Sequence, residues 1–249
     1  MSEFSNMVVV VTGGSSGIGK SIAEVFYKAG AHVVIFGRDL NKLEEMKRAL
    51  PKILTVSGDV RKICDLDHLY AETQKVFGKI DVLVANAGVA ALRKVDDVDE
   101  EFFDNIVDII YKGAYFTVQR AVTHLKEGAS VILISSMGCH VGMASHSVYC
   151  SAKAAVSMLA RNFAADLIDR NIRVNAISPG FTDTPIFDSA DAVAELSKTI
   201  PIKRFANPNE IADVVYFLAS SKGAYFVGAD LVIDGGVSSI MGGAVAAHS

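Results

Sequence analysis

The chain has no tryptophan, only five prolines and only three cysteines among its 249 residues. Cys64, Cys139 and Cys150 are odd in number and form no CxxC pair. A disulfide framework is therefore not expected, and a reducing cytoplasm is the simplest setting. No apolar run reaches the roughly 18 residues of a membrane span, which sets a bilayer aside as a partner. Basic residues are also in deficit. The net charge of −4 is the wrong sign for a surface that holds nucleic acid or anionic lipid. Met1 to Asn6 is polar and leads straight into an apolar run, so no secretion signal is expected. No proline-, serine- or charge-rich linker divides the chain. One domain over residues 1–241 is expected, followed by a flexible Gly/Ala-rich tail at 242–249.

About half the residues, 51%, are hydrophobic, enough for one substantial core. Short β-branched runs suit strands buried on both faces. They fall at Met7 to Val11, His32 to Phe36, Ile53 to Val56, Ile80 to Ala85, Val131 to Ile134, Arg173 to Ile177 and Asp230 to Ile233. Between them lie helical periodicities, from Ile18 to Ala29, Leu40 to Leu50, Asp65 to Phe77, Glu100 to Lys126, Val148 to Arg170 and Pro208 to Ser220. Parallel neighbours need crossover connections. The alternation therefore predicts an α/β fold, a doubly wound parallel sheet of about seven strands with helices on both faces.

The first strand turns into the first helix through Thr12-Gly13-Gly14-Ser15-Ser16-Gly17-Ile18-Gly19. Glycine at such a turn lets the backbone approach a pyrophosphate, and the helix N-terminus adds free N–H groups and a positive dipole end. The spacing is Gly-x3-Gly-x-Gly rather than GxGxxG. An ordinary tight turn is the plain alternative, and the three glycines with two serines weigh against it. Further on, Tyr149 and Lys153 stand four residues apart on one helix face. Ser135 and Ser136 end the fifth strand, at the sheet edge where open α/β folds bind ligands. A phenol is a poor proton shuttle at neutral pH unless a nearby ammonium lowers its pKa. Lys153 is expected to tune Tyr149 in this way, with Ser136 holding a substrate oxygen. A lone YxxxK usually means a packed tyrosine and a solvated lysine. The glycine loop and the serines together override that.

Together these motifs make the chain resemble the short-chain dehydrogenase/reductase family from about Val8 to Gly236. The shared parts are Thr12 to Gly19, Asp59-Val60, Asn86-Ala87-Gly88, Ser136, Tyr149 to Lys153, Pro179-Gly180 and Asp234-Gly235-Gly236. The resemblance implies a Rossmann-like fold and hydride transfer between a nicotinamide dinucleotide and a carbonyl or alcohol carbon. It assigns the cofactor to Gly13, Ser15, Ser16, Gly17, Ile18, Gly19, Arg38, Tyr149 and Lys153. Asp59 and Val60 would bracket the adenine, and Asn86, Ala87 and Gly88 would shape the cofactor floor. Pro179, Gly180, Thr182 and Thr184 would lie around the nicotinamide amide. One departure stands out. Where the family has an asparagine three residues before a glycine, here Gly113, this chain has Ile110. In the family that asparagine organises a water serving the lysine, and isoleucine has no polar group to do so.

The end of the second strand discriminates between the coenzymes. Gly37 stands where NAD users carry an acid, and Arg38 follows it. A guanidinium suits a 2′-phosphate, so NADP(H) is favoured. Asp39 weighs the other way, and NAD(H) stays open. The substrate wall is expected from Met137, His140, Met143, Phe181, Ile186 and Phe187, with Val89 to Leu92 and His146 nearby. A loop and short helix at 183–199 would cover it. No histidine sits in a metal-ligand spacing, so no metal is expected. The ligands expected are a small carbonyl or alcohol substrate and a nicotinamide coenzyme, with a homotetramer implied by the resemblance. The leading function is an NADP(H)-dependent ketone or β-ketoacyl reductase. The alternatives are an NAD-dependent secondary alcohol dehydrogenase, or a weakly catalytic cofactor-binding sensor or scaffold.

Overall fold

A computed structural model of the chain describes residues 2–185, 187 and 189–240. Seven parallel strands form one sheet: β1 (Val8–Thr12), β2 (His32–Gly37), β3 (Leu54–Ser57), β4 (Ile80–Ala85), β5 (Leu125–Ile134), β6 (Arg173–Pro179) and β7 (Asp230–Ile233). Their order is β3-β2-β1-β4-β5-β6-β7. The order in which the chain adds strands therefore reverses between β1 and β4, which opens a crevice at the carboxyl edge there. The helices are α1 (Gly17–Lys28), α2 (Leu40–Ala49), α3 (Ile63–Phe77), α4 (Glu100–Val107), α5 (Gly113–Ala121), α6 (Ser147–Leu167), α7 (Ala190–Thr199) and α8 (Pro208–Ala219). The result is the expected Rossmann-like α/β architecture.

Alternation along the strands makes two cores. Val8 and Val10 of β1, Leu83 of β4 and Val131 and Leu133 of β5 face one side, against α3 to α6. Val9, Val11, Val82, Val84, Ile132 and Ile134 face the other, against α1, α2 and α8. Apolar positions of both parities are buried, so the strands read as unbroken hydrophobic runs. Among the described residues no helix is long and apolar enough to cross a membrane.

The expected helix from Glu100 to Lys126 is corrected in two places. A five-residue π turn, Asp108–Lys112, separates α4 from α5. The helix also stops at Ala121, and β5 begins at Leu125, six residues before the expected strand. Leu125 pairs with Ile80, and an irregularity in register follows before Ser130 meets Val82. Gly128 takes φ +77° within this stretch. Long-range pairing with β4 thus overrides a local apolar periodicity that runs through Val122 and Leu125. The expected tail at 242–249 lies outside the described residues.

Candidate active site

The glycine loop joins β1 to α1 with Gly13 at φ +65°, a conformation that favours glycine. A Cβ on Gly13 would stand 2.9 Å from Asn86 Nδ2. That amide donates to the carbonyls of Thr12, at 2.9 Å, and Gly13, at 3.2 Å. Thr12 Oγ1 in turn accepts from the backbone N–H of Asn86, at 3.1 Å, and of Ala87, at 3.2 Å. The ends of β1 and β4 are thereby fastened together under the loop. The first turn of α1 has no acidic residue, and Ser16 makes no side-chain cap. Its N-terminal amides are accordingly left for an outside acceptor. By contrast α2, α4, α7 and α8 are each capped by a side chain.

A cavity of about 420 Å³ opens at the carboxyl edge of the sheet. Gly13, Ser16, Gly17, Ile18 and Gly19 line it from the loop, and Asn86, Ala87 and Gly88 from β4. Ser136, Tyr149 and Lys153 line it from β5 and α6, and Pro179, Gly180, Thr182 and Thr184 from the segment after β6. Gly180 is pinned because a Cβ there would meet Asp234 Cα at 2.6 Å. The segment then crosses to the loop, where Thr184 Cγ2 is 3.2 Å from the place a Gly17 Cβ would take. Met137, Met143, Phe181 and Phe187 also line the cavity, as do Val89, Leu92 and His146. Phe181, Phe187 and Phe205 form an aromatic cluster, with centroids 5.0–6.1 Å apart.

One expectation is altered here. His140 does not line the cavity. Its Nε2 lies 3.1 Å from Asp230 Oδ2 instead, because Cys139 and His140 turn toward β7 after the short helical turn at Met137–Cys139. Ile186 lies outside the described residues. The expected cover over the site does contain a helix, α7, and none of its residues is buried.

The electrostatics of Tyr149 also differ from expectation. Burial pushes its phenol above the usual value, and a hydrogen bond from the Ser136 hydroxyl only partly offsets this. Lys153 Nζ donates to the Ile134 carbonyl at 2.8 Å, beside Gly88. Burial pulls the Lys153 ammonium down to about 8. The side chain of Ser135 supports this lysine from behind by donating to the Lys153 carbonyl, at 2.8 Å. Ile110 is buried in the π turn. There the Gly113 N–H reaches Asp108 O instead of the Ile109 carbonyl used by a regular helix.

A second cavity, about 460 Å³, adjoins the first and is lined by Ser15, Ser16, Gly37, Arg38, Asp39, Lys42, Asp59, Val60 and Gly88, among others. Lys42 lines both cavities and was not anticipated. It sits in the first turn of α2, so the signal in the sequence is its place one turn beyond Arg38. Asp39 caps α2 by accepting from the Lys42 N–H at 3.1 Å. Arg61, also unanticipated, takes the Asp59 carboxylate through Nε at 2.9 Å and Nη2 at 2.6 Å. Burial alone would raise the Asp59 carboxyl, but the bonds from Arg61 outweigh it and hold it below the usual value. Arg38 is left mostly exposed, 4.0 Å from Asp59.

The chain matches known proteins over nearly its whole length. A family model described as "Enoyl-(Acyl carrier protein) reductase" matches residues 13–238. A "NAD-dependent glycerol dehydrogenase" from Listeria innocua is 35% identical over 244 residues, covering 94% of each chain. A short-chain dehydrogenase/reductase from Serratia marcescens superposes with a TM-score of 0.90 at 30% identity, covering 94% of this chain and 99% of that one. A short-chain dehydrogenase from Burkholderia cenocepacia in complex with NADP gives 0.89 at 28% identity, covering 94% and 98%. The chain therefore belongs to the short-chain dehydrogenase/reductase family and is an oxidoreductase of the C=O/CH–OH type.

Proposed function

We propose that the protein interconverts a ketone, or a β-ketoacyl group, and a secondary alcohol with NADP(H), using Tyr149 as acid and base. The observation that carries this is the convergence of Ser136, Tyr149 and Lys153 on the cavity that the glycine loop also lines. The fit to a dinucleotide rests on the uncapped start of α1 and on the close approach at Gly13. Gly13, Ser15, Ser16, Gly17, Ile18 and Gly19 would hold its pyrophosphate, and Asp59 and Val60 its adenine. Asn86, Ala87 and Gly88 would form the floor, and Pro179, Gly180, Thr182 and Thr184 would meet the carboxamide. When bound, the coenzyme supplies or accepts the hydride.

The chain's own groups do the rest. Ser136 Oγ donates a hydrogen bond to the substrate oxygen. Tyr149, protonated at neutral pH because burial raises its pKa, gives its proton to that oxygen as the carbonyl is reduced. In oxidation Tyr149 must first lose that proton, so the oxidative rate rises with pH. Lys153, near 8, is the adjacent group through which the proton is replaced. Met137, Met143, Phe181 and Phe187 present an apolar wall, which favours a substrate with an apolar body.

The preference for NADP(H) follows from charge. Asp59 is held by Arg61, and Asp39 is turned to the α2 cap. Arg38 and Lys42 face the second cavity in long ion pairs only, at 4.0 Å to Asp59 and 3.9 Å to Asp39, and are the cations there that could turn to a 2′-phosphate. The glycerol dehydrogenase relative, named as NAD-dependent, supports the alternative of an NAD-linked alcohol dehydrogenase. Titration of both reduced coenzymes separates them. Arg38→Ala should weaken NADPH binding roughly ten- to a hundred-fold and leave NADH nearly unchanged. Equal loss for both coenzymes would contradict the assignment.

A further inference from the structure

Three potential metal-ligating atoms, far apart in the sequence, meet outside the cavities. Cys139 Sγ, His140 Nε2 and an Asp230 carboxylate oxygen all lie within 4.8 Å of one another. The absence of a metal spacing in the sequence is therefore misleading, because the third group arrives on β7, some ninety residues later. His140 Nε2 is 3.1 Å from Asp230 Oδ2, and Cys139 Sγ is 3.7 Å from the same oxygen. A tetrahedral zinc with bonds of about 2.0–2.3 Å sets its ligand atoms about 3.3–3.6 Å apart. The two measured edges bracket that span. Adjustments of a few tenths of an ångström on these two edges, with Cys139 Sγ and His140 Nε2 drawn together from within 4.8 Å, would close the site.

The surroundings are those of a supported ligand set. The Asp230 side chain is only 3% exposed, and among the described residues its one charged-type neighbour is His140, with no Lys or Arg within 4.0 Å. A buried carboxylate is ordinarily paired or bound to a cation. Ser157 Oγ donates to Asp230 Oδ2 at 2.5 Å, and Ser178 Oγ to Oδ1 at 2.7 Å. These hydroxyls fix the carboxylate from α6 and β6, as outer partners do around known metal ligands. On the other side, His140 is about one-third exposed, which provides an entry path and room for a water as fourth ligand. A thiolate, an imidazole and a carboxylate together suit zinc over magnesium or calcium.

We propose that Cys139, His140 and Asp230 form a binding site for one four-coordinate zinc-type cation, separate from the reaction cavity. Binding converts the Cys139 thiol to a thiolate and releases its proton to solvent, with no change in oxidation state. The cation would tie the turn after Ser136, which carries Met137 into the cavity wall, to β7. It would thereby brace that wall without touching substrate.

Cobalt(II) titration of the chelator-treated full chain tests this. Saturation at one ion per chain is expected, with a thiolate-to-cobalt charge-transfer band and the visible bands of a tetrahedral ion. Cys139→Ser should abolish the charge-transfer band, whereas Cys64→Ser, at an exposed thiol elsewhere, should retain it. The exposed His140→Ala, which leaves the core untouched, should weaken binding at least ten-fold, and zinc should displace cobalt from the wild-type chain. Lack of the band in the wild type would show the cluster to be a hydrogen-bonded network only. Survival of the band in Cys139→Ser, or unchanged affinity in His140→Ala, would likewise overturn the proposal.

Discussion

Lys153 shows how a single buried group at the proposed site bears on stability. It is almost wholly buried, and its ammonium titrates near 8, well below the usual lysine value. The folded chain holds that proton less readily than the unfolded chain. The cost is therefore fully present below about pH 8 and is relieved as pH rises toward the unfolded pKa. Each pKa unit corresponds to about 1.4 kcal/mol. Lys153→Met removes the cost, so its stability relative to wild type should be greatest near neutrality. Denaturant melts should show that difference narrowing by about 2–3 kcal/mol between pH 7 and pH 10. A difference that does not change with pH would mean that Lys153 is not desolvated as described. The fate of Tyr149 is also set at this scale. Its spacing to Lys153 was legible in the sequence, but the direction of its pKa was not. The spacing indicates that two side chains share a helix face, while the direction depends on where Nζ points and how much water the ring loses.

The elements themselves were readable from pattern, and their interruptions were not. The strand Val8–Thr12 and its glycine turn follow from an apolar run that meets glycines. So do the Ser136 edge of β5 and the YxxxK face of α6. The π turn at Asp108–Lys112 and the early start of β5 at Leu125 leave no local mark, because they answer to packing and strand pairing across the sheet. The same holds for His140 and Asp230, which meet across some ninety residues of sequence. Arg173 is a further case. From the start of β6 its Nη1 donates to the carbonyls of Leu218, at 2.8 Å, and Gly223, at 3.0 Å, closing the C-terminal end of α8. Helix ends leave carbonyls unpaired unless something meets them, and a cation there also complements the dipole. Arg173→Leu should lower unfolding stability by about 2–4 kcal/mol, seen as a shifted urea midpoint with an unchanged slope. A shift below about 0.5 kcal/mol would show that water satisfies those carbonyls equally well.

Across the whole molecule, one sheet separates two cores and presents both cavities along its carboxyl edge. The outer faces of α4 to α6 expose Phe103, Tyr115 and Met158, and we propose that the homotetramer implied by the family resemblance packs on these helices. Light scattering should give about four times the 26.5 kDa chain mass, and Tyr115→Glu with Met158→Glu should reduce it. A monomeric wild type would contradict the proposal. The proposed catalysis is likewise a property of the assembled fold, since Ser136, Tyr149 and the glycine loop arrive from three separate elements. The most direct test uses NADPH deuterated at the transferring position, with a panel of ketones and β-ketoacyl compounds. Wild-type protein should deliver the deuterium to the new carbinol carbon, and Tyr149→Phe should lose roughly a hundred- to ten-thousand-fold in turnover while still binding NADPH. Deuterium absent from that carbon, or turnover undiminished in Tyr149→Phe, would contradict it.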